Sequence, residues 1–197
     1  MKLKIKPMGA YQTNCYIVTI DNKDIIIDPG MGAASWVVEN VTNPIAILNT
    51  HGHFDHVWSN KELKEKLHIP IYVPKNDAFM LRDDPFSQGT PASEPDVEVV
   101  GDQEFDLDGI KIKYIHMPGH TPGNSIIIIE DCCFSGDFVF ENSIGRVDFP
   151  YSSPEDMKKS IKKFIALDFD KKVYTGHGNP TTIKTEQSRI GNWLNYI

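Results

Sequence analysis

The stretch Thr50-His51-Gly52-His53-Phe54-Asp55-His56 places three of the chain's seven histidines within six residues. Core packing rarely produces such a density, so the segment requires a chemical explanation. It follows the apolar run Ile45 to Leu48 and precedes KELKEKL (61–67), where Leu63 and Leu67 lie four apart on one helical face. The segment is therefore expected in a strand-to-helix loop at a sheet edge, where side chains converge on a pocket. Residues two apart in extended chain share a direction, so His51, His53 and Asp55 point together while the start of the helix turns His56 beside Asp55. Imidazole and carboxylate suit zinc, iron and manganese alike. No thiolate joins them here, which argues against a closed structural zinc site and favours an open, hydrolytic one.

Outward from this segment, three more candidates sit just beyond apolar strands and beside glycines. They are His120 in PGHTPG (118–123), Asp137 in FSGD (134–137) and His177 in TGHG (175–178). Glycine lets several loops crowd around one small ion. On the N-terminal side, KLKIKPM (2–8), QTNCYIVTI (12–20) and KDIIID (23–28) read as consecutive antiparallel strands, followed by a short helix over AASWVVENV (33–41). Arg82 to Pro95 reads as a turn-rich loop too polar to hold a core position, with Phe86 and Met80 near it as candidate covers for a bound substrate. A second series of strands runs from Val97 to Asp137. Ser153-Pro154-Glu155-Asp156 then starts a helix, with a serine cap and proline at the first position, and its buried stripe is Met157, Ile161, Phe164 and Ile165. KVYT (172–175) and a polar C-terminal helix ending at Trp193 and Leu194 complete the chain. Each half begins with strands and ends in helices.

At 197 residues, with 40% hydrophobic and 24% charged residues, the chain is expected to form a single domain over 1–197 with a sizeable core. Twenty Lys and Arg against 27 Asp and Glu give a net charge of -7, which disfavours nucleic acid as a partner. The concentrated basic residues, Lys158, Lys159, Lys162, Lys163, Lys171 and Lys172, read as a solvated face. No clean apolar run is longer than Ile126 to Ile129, so no membrane segment is expected. The lysine-punctuated N-terminus lacks the pattern of an export signal. Cys15, Cys132 and Cys133 form neither an even framework nor a CxxC pair, which places the chain in a reducing cytoplasm with its thiols buried.

The ordered set His51-x-His53-x-Asp55-His56, His120, Asp137 and His177 resembles the metallo-β-lactamase superfamily. Thr13-Asn14-Cys15-Tyr16, Asp28-Pro29-Gly30, HMPGHTPG (116–123), Phe134 to Asp137 and Ile144-Gly145-Arg146-x-Asp148 resemble its short bacterial glyoxalase II-like hydrolases in particular. The resemblance implies an α/β fold, a four-layer αββα sandwich of two mixed sheets flanked by helices. It also implies two divalent ions, zinc first with iron or manganese as alternatives. His51, His53 and His120 would bind one ion, Asp55, His56 and His177 the other, and Asp137 would bridge. Asp55 and Asp137 would act with a hydroxide generated on the metals, since two ions sharing a water lower its pKa toward roughly 7. Aspartate at 137, where zinc β-lactamases carry cysteine, points away from antibiotic hydrolysis.

A small-molecule thioester such as S-lactoylglutathione is the expected substrate, because a thiolate leaves without a proton donor. A lactonase or other ester hydrolase, and a mononuclear iron persulfide dioxygenase, are the competing readings. Asp28 and His116 are candidates for orienting or bracing the ligands. Arg146 is a candidate clamp for a substrate carboxylate, against a salt bridge to Asp148. Oligomeric state is not encoded in any pattern found here.

Overall fold

The computed structural model describes Met1 to Ile197 and divides into two compact units, Met1–Val100 and Gly101–Ile197. In the first unit β1 (Lys2–Met8), β2 (Thr13–Ile20) and β3 (Lys23–Ile27) run antiparallel, as their alternating and β-branched residues predict. After α1 (Ala33–Asn40) the chain adds β4 (Pro44–Leu48) parallel to β3. The short α2 (Phe54–Val57) and α3 (Asn60–Leu67) lead to β5 (Ile71–Pro74), then α4 (Ala78–Asp83) to β6 (Val97–Val99), each new strand again parallel. The result is one six-stranded mixed sheet in simple sequential order. Cys15, Ile26, Ile47 and Ile71 pack with Val37, Leu63 and Leu81 of the helices, and Ile25 and Ile27 on the reverse face of β3 are equally inaccessible. Burial on both faces explains the unbroken apolar run of β3.

The second unit repeats the plan. β7 (Gln103–Leu107), β8 (Ile110–His116), β9 (Ser125–Ile129) and β10 (Cys132–Gly136) form an antiparallel meander. The hairpin β11 (Val139–Phe140) and β12 (Ser143–Ile144) follows, then α5 (Pro154–Ile165). β13 (Lys172–Thr175) lies parallel to β10, and β14 (Thr181–Thr182) pairs antiparallel with β13 before α6 (Ile183–Ile190). The Ser153 hydroxyl accepts the Asp156 N–H at 3.1 Å, the cap its sequence predicts. Met157, Ile161 and Phe164 are buried beneath α5. Its lysine face is solvated and ion-paired, Lys159 with Asp156 and Lys163 with Asp102.

Several expectations need correction. Ile165 lies at the end of α5 and is exposed rather than part of the buried stripe. The turn-rich segment does reach the core, since Thr90 and Ser93 are buried. Its polar groups turn inward because Asp84 accepts the Gln88 and Gly89 N–H groups and the Thr90 hydroxyl. Met80 belongs to α4 and is 2% exposed, so it packs behind the histidine segment rather than covering a substrate. The C-terminal helix stops at Ile190 and continues as a 3-10 turn over Gly191–Asn195. No helix is long and apolar enough to cross a membrane.

Candidate metal centre

The first unit assembles its donors at the C-terminal ends of β3 and β4. Asp28, just beyond β3, accepts the Thr50 N–H at 2.8 Å through Oδ1 and the Thr50 hydroxyl at 2.6 Å through Oδ2. That hydroxyl has one proton and gives it to Asp28, so its contact with His51 Nδ1 at 3.0 Å is one in which Nδ1–H donates. His56 Nδ1 lies 3.0 Å from Asp28 Oδ2 and donates there too. Both imidazoles are thereby set as the tautomer whose Nε2 carries the lone pair, which leaves that nitrogen able to bind a metal. Asp28, predicted to orient one ligand histidine, thus fixes two.

The four candidates of the histidine segment lie side by side. His51 and His56 are fully buried, and His53 and Asp55 nearly so. The His51 ring is 4.1 Å from that of His56 and 5.0 Å from that of His53. Asp55 Oδ2 lies 3.5 Å from His56 Nε2 and accepts the Thr13 hydroxyl at 2.7 Å. The loop is held from behind by Asp77, a fully buried carboxylate that accepts the Gly52 N–H at 2.9 Å. Gly30 allows the chain to cross Asp55, because a Cβ there would sit 2.1 Å from the Asp55 carbonyl oxygen.

In the second unit His120 Nδ1–H donates to the Arg146 carbonyl at 2.8 Å, which again leaves Nε2 as the ligand atom. Asp137 Oδ2 lies 3.5 Å from His120 Nε2 and 3.4 Å from His177 Nε2. One carboxylate oxygen thus faces two imidazole nitrogens. Gly145 makes this possible, since a Cβ at that position would approach the Asp137 carbonyl oxygen to 1.8 Å and the His120 ring to 3.0 Å. The Ser152 hydroxyl donates to the His120 carbonyl at 2.7 Å. His116 Nε2 lies 2.9 Å from the Pro122 carbonyl within the HMPGHTPG loop.

The structure therefore brings His51, His53, Asp55 and His56 together with Asp28 in one unit, and His120, Asp137 and His177 together in the other. Arg146 grips Asp148 through two nitrogens, at 2.9 and 2.7 Å, and its guanidinium lies 4.2 Å over Phe149. The Asp148 carboxylate raises the Arg146 pKa and is lowered in return. The salt bridge, rather than a vacant clamp, is what Arg146 forms here. Phe86 stands edge-on to His53 at 5.1 Å. Thr13, Thr50, Asp77 and Ser152 were not legible as supports. Their roles depend on partners 42, 22, 25 and 32 residues away, and only Thr50, adjacent to His51, carries a local hint.

The donor chemistry fits borderline divalent ions: imidazoles offering Nε2 and carboxylates, with no thiolate among them. Cys15 and Cys133 are buried, and burial pushes both thiols far above their ordinary pKa. Neither is a candidate ligand.

Known proteins resemble this chain over most of its length. The metallo-beta-lactamase superfamily model matches residues 8–177 and ends on His177. Hydroxyacylglutathione hydrolase GloC of Haemophilus influenzae is 34% identical over 212 residues, covering 99% of each chain. Among solved structures, the BLEG-1 B3 metallo-beta-lactamase superposes with a TM-score of 0.87 at 30% identity, over 98% of this chain and 99% of that one. TTHA1623 in a di-iron-bound form gives a TM-score of 0.80 at 29% identity, over 94% and 98%.

Proposed function

The chain belongs to the metallo-β-lactamase superfamily, and from that membership we propose that it is a dinuclear metal-dependent thioester hydrolase of glyoxalase II type. In this reading His51, His53 and His120 hold one ion, Asp55, His56 and His177 the other, and Asp137 is shared. The observation that carries it is the single Asp137 oxygen facing both His120 and His177, which the reading assigns to different ions. Zinc is the preferred metal. Iron suits the same donors, and the di-iron form of TTHA1623 favours including it in any reconstitution.

When bound, the ions supply Lewis acidity, polarising a substrate carbonyl and lowering the pKa of water. The protein's part is to hold that charge in place. Asp28 and the Arg146 carbonyl fix the imidazole tautomers, and Thr13 fixes the Asp55 carboxylate. A thioester asks least of such a site, because a thiol of pKa about 8.5 leaves as thiolate without a proton donor. Asp55 and Asp137 can then both stay ionised as ligands. In this reading Phe86, which stands edge-on to His53, contacts the acyl group.

The test is thiol release from S-lactoylglutathione and acyl-CoA esters, run beside acyl-homoserine lactones, a β-lactam and glutathione persulfide with oxygen uptake. Thioester turnover that is lost with chelator and restored by metal supports the reading. Protein carrying about two ions per chain that releases no thiol from any thioester overturns it. The β-lactam belongs in the panel because of the likeness to BLEG-1.

A further inference from the structure

A cavity of about 420 Å³ lies wholly within the second unit, lined by Asn142, Arg189, Asn192, Trp193 and Tyr196. That volume falls in the range that holds small organic ligands. Arg189 forms no ion pair, and the carboxylate one turn before it, Glu186, is buried and accepts the Thr181 hydroxyl at 2.6 Å and the Asn142 N–H at 3.2 Å. The guanidinium is held instead by an Nη1–H bond to Asn142 Oδ1. Beside it the Trp193 and Tyr196 rings meet edge to face, with centroids 6.3 Å apart. Trp193 is anchored against the unit's core, while Tyr196 is 80% exposed. A positioned guanidinium with unused donors takes an anionic group, and adjoining ring faces take a planar apolar one.

We propose that this cavity binds a planar aromatic anion, its ring against Trp193 and Tyr196 and its phosphate or carboxylate on Arg189. Asn142 also connects the cavity to the candidate metal donors. It occupies the loop of the β11–β12 hairpin that follows Asp137, and Phe140 of that hairpin lies 6.1 Å from His177. Glu141, next to Asn142, accepts the Asn179 amide at 3.1 Å, two residues beyond His177. A ligand in the cavity thus touches a hairpin that also contacts the His177 loop.

The experiment is calorimetric titration of the metal-loaded protein with adenosine 5′-monophosphate and with benzoate. Adenosine serves as the ring without the anion, and inorganic phosphate as the anion without the ring. The expected result is saturable binding of the two aromatic anions, with adenosine and phosphate each at least about tenfold weaker. Arg189→Gln should weaken the anions about tenfold or more and leave adenosine unchanged, and Tyr196→Ala should weaken all ring-bearing probes. Both side chains are exposed, so unchanged thermal unfolding will show that each variant folds. Equal affinity for adenosine and its monophosphate, no effect of Arg189→Gln, or no saturable binding overturns the proposal. The binding measurement involves no turnover, so its failure is distinct from failure of the thioesterase reading. A second arm, which rests on that reading, assigns the source of the anion. Competitive inhibition of thiol release supports a ring in the substrate's own thiol carrier, and non-competitive inhibition supports a separate effector at the same cavity.

Discussion

Asp28 ties together most of the first unit's candidate donors, because its two carboxylate oxygens hold Thr50 and His56 directly and His51 through Thr50. Removing a group that orients metal ligands typically costs 10- to 100-fold in metal affinity. Asp28→Ala is accordingly expected to weaken binding of the ion that the proposed assignment gives to His56 by about that factor, measured by competition with a chelator, while His120 variants supply the contrast. Asp24 shows the same device away from the metals. Burial pushes its carboxyl up, but the Thr19 hydroxyl and the Thr42 and Asn43 N–H groups outweigh burial and hold the pKa below its usual 3.8. A depressed folded-state pKa contributes stability above the unfolded value and loses it as pH falls through the folded one. Asp24→Asn should therefore destabilise the protein at neutral pH by about 1–2 kcal/mol. That difference should shrink toward zero as pH drops below about 3.8, followed by denaturant unfolding of the two proteins across the acid range. A difference that stays constant with pH would contradict the assignment.

At the level of elements, two positions separate packing from chemistry. Ser153 caps α5 and touches no candidate donor side chain. Ser153→Ala should cost about 1 kcal/mol, lowering the melting temperature by about 2–4 °C with metal content unchanged. Gly145 is the opposite case. An added methyl would overlap the Asp137 carbonyl, so Gly145→Ala should displace the hairpin and reduce metal retention well beyond its effect on stability, read by elemental analysis beside thermal unfolding. The strands, α1, α3 and α5 were legible because their apolar spacing and caps are local signals. The inward turn of the 84–90 loop was not, because polar residues such as Thr90 are buried through hydrogen bonds to a neighbouring carboxylate that composition cannot show. Ile165 misled for a related reason: its spacing fits the buried stripe, but the helix ends there and its last residue faces solvent.

Across the whole molecule the chain runs the same plan twice, a six-stranded mixed sheet with helices in each unit, and places candidate metal ligands in loops beyond strand ends in both. The candidate ligands stand out in the sequence because histidine and aspartate beside glycine after an apolar strand is an uncommon pattern. Their supports do not, since Thr13, Asp77 and Ser152 have no distinguishing type and act only through distant partners. Metal content of single and double variants tests the proposed dinuclear assignment most directly. His53→Ala in the first unit and His120→Ala in the second should each lower metal content from about two ions per chain to about one. The double variant should lose no more than either single one, because the proposed assignment gives both side chains to the same ion. A His120→Ala protein that keeps both ions, or a double variant that loses one ion for each substitution, would contradict it.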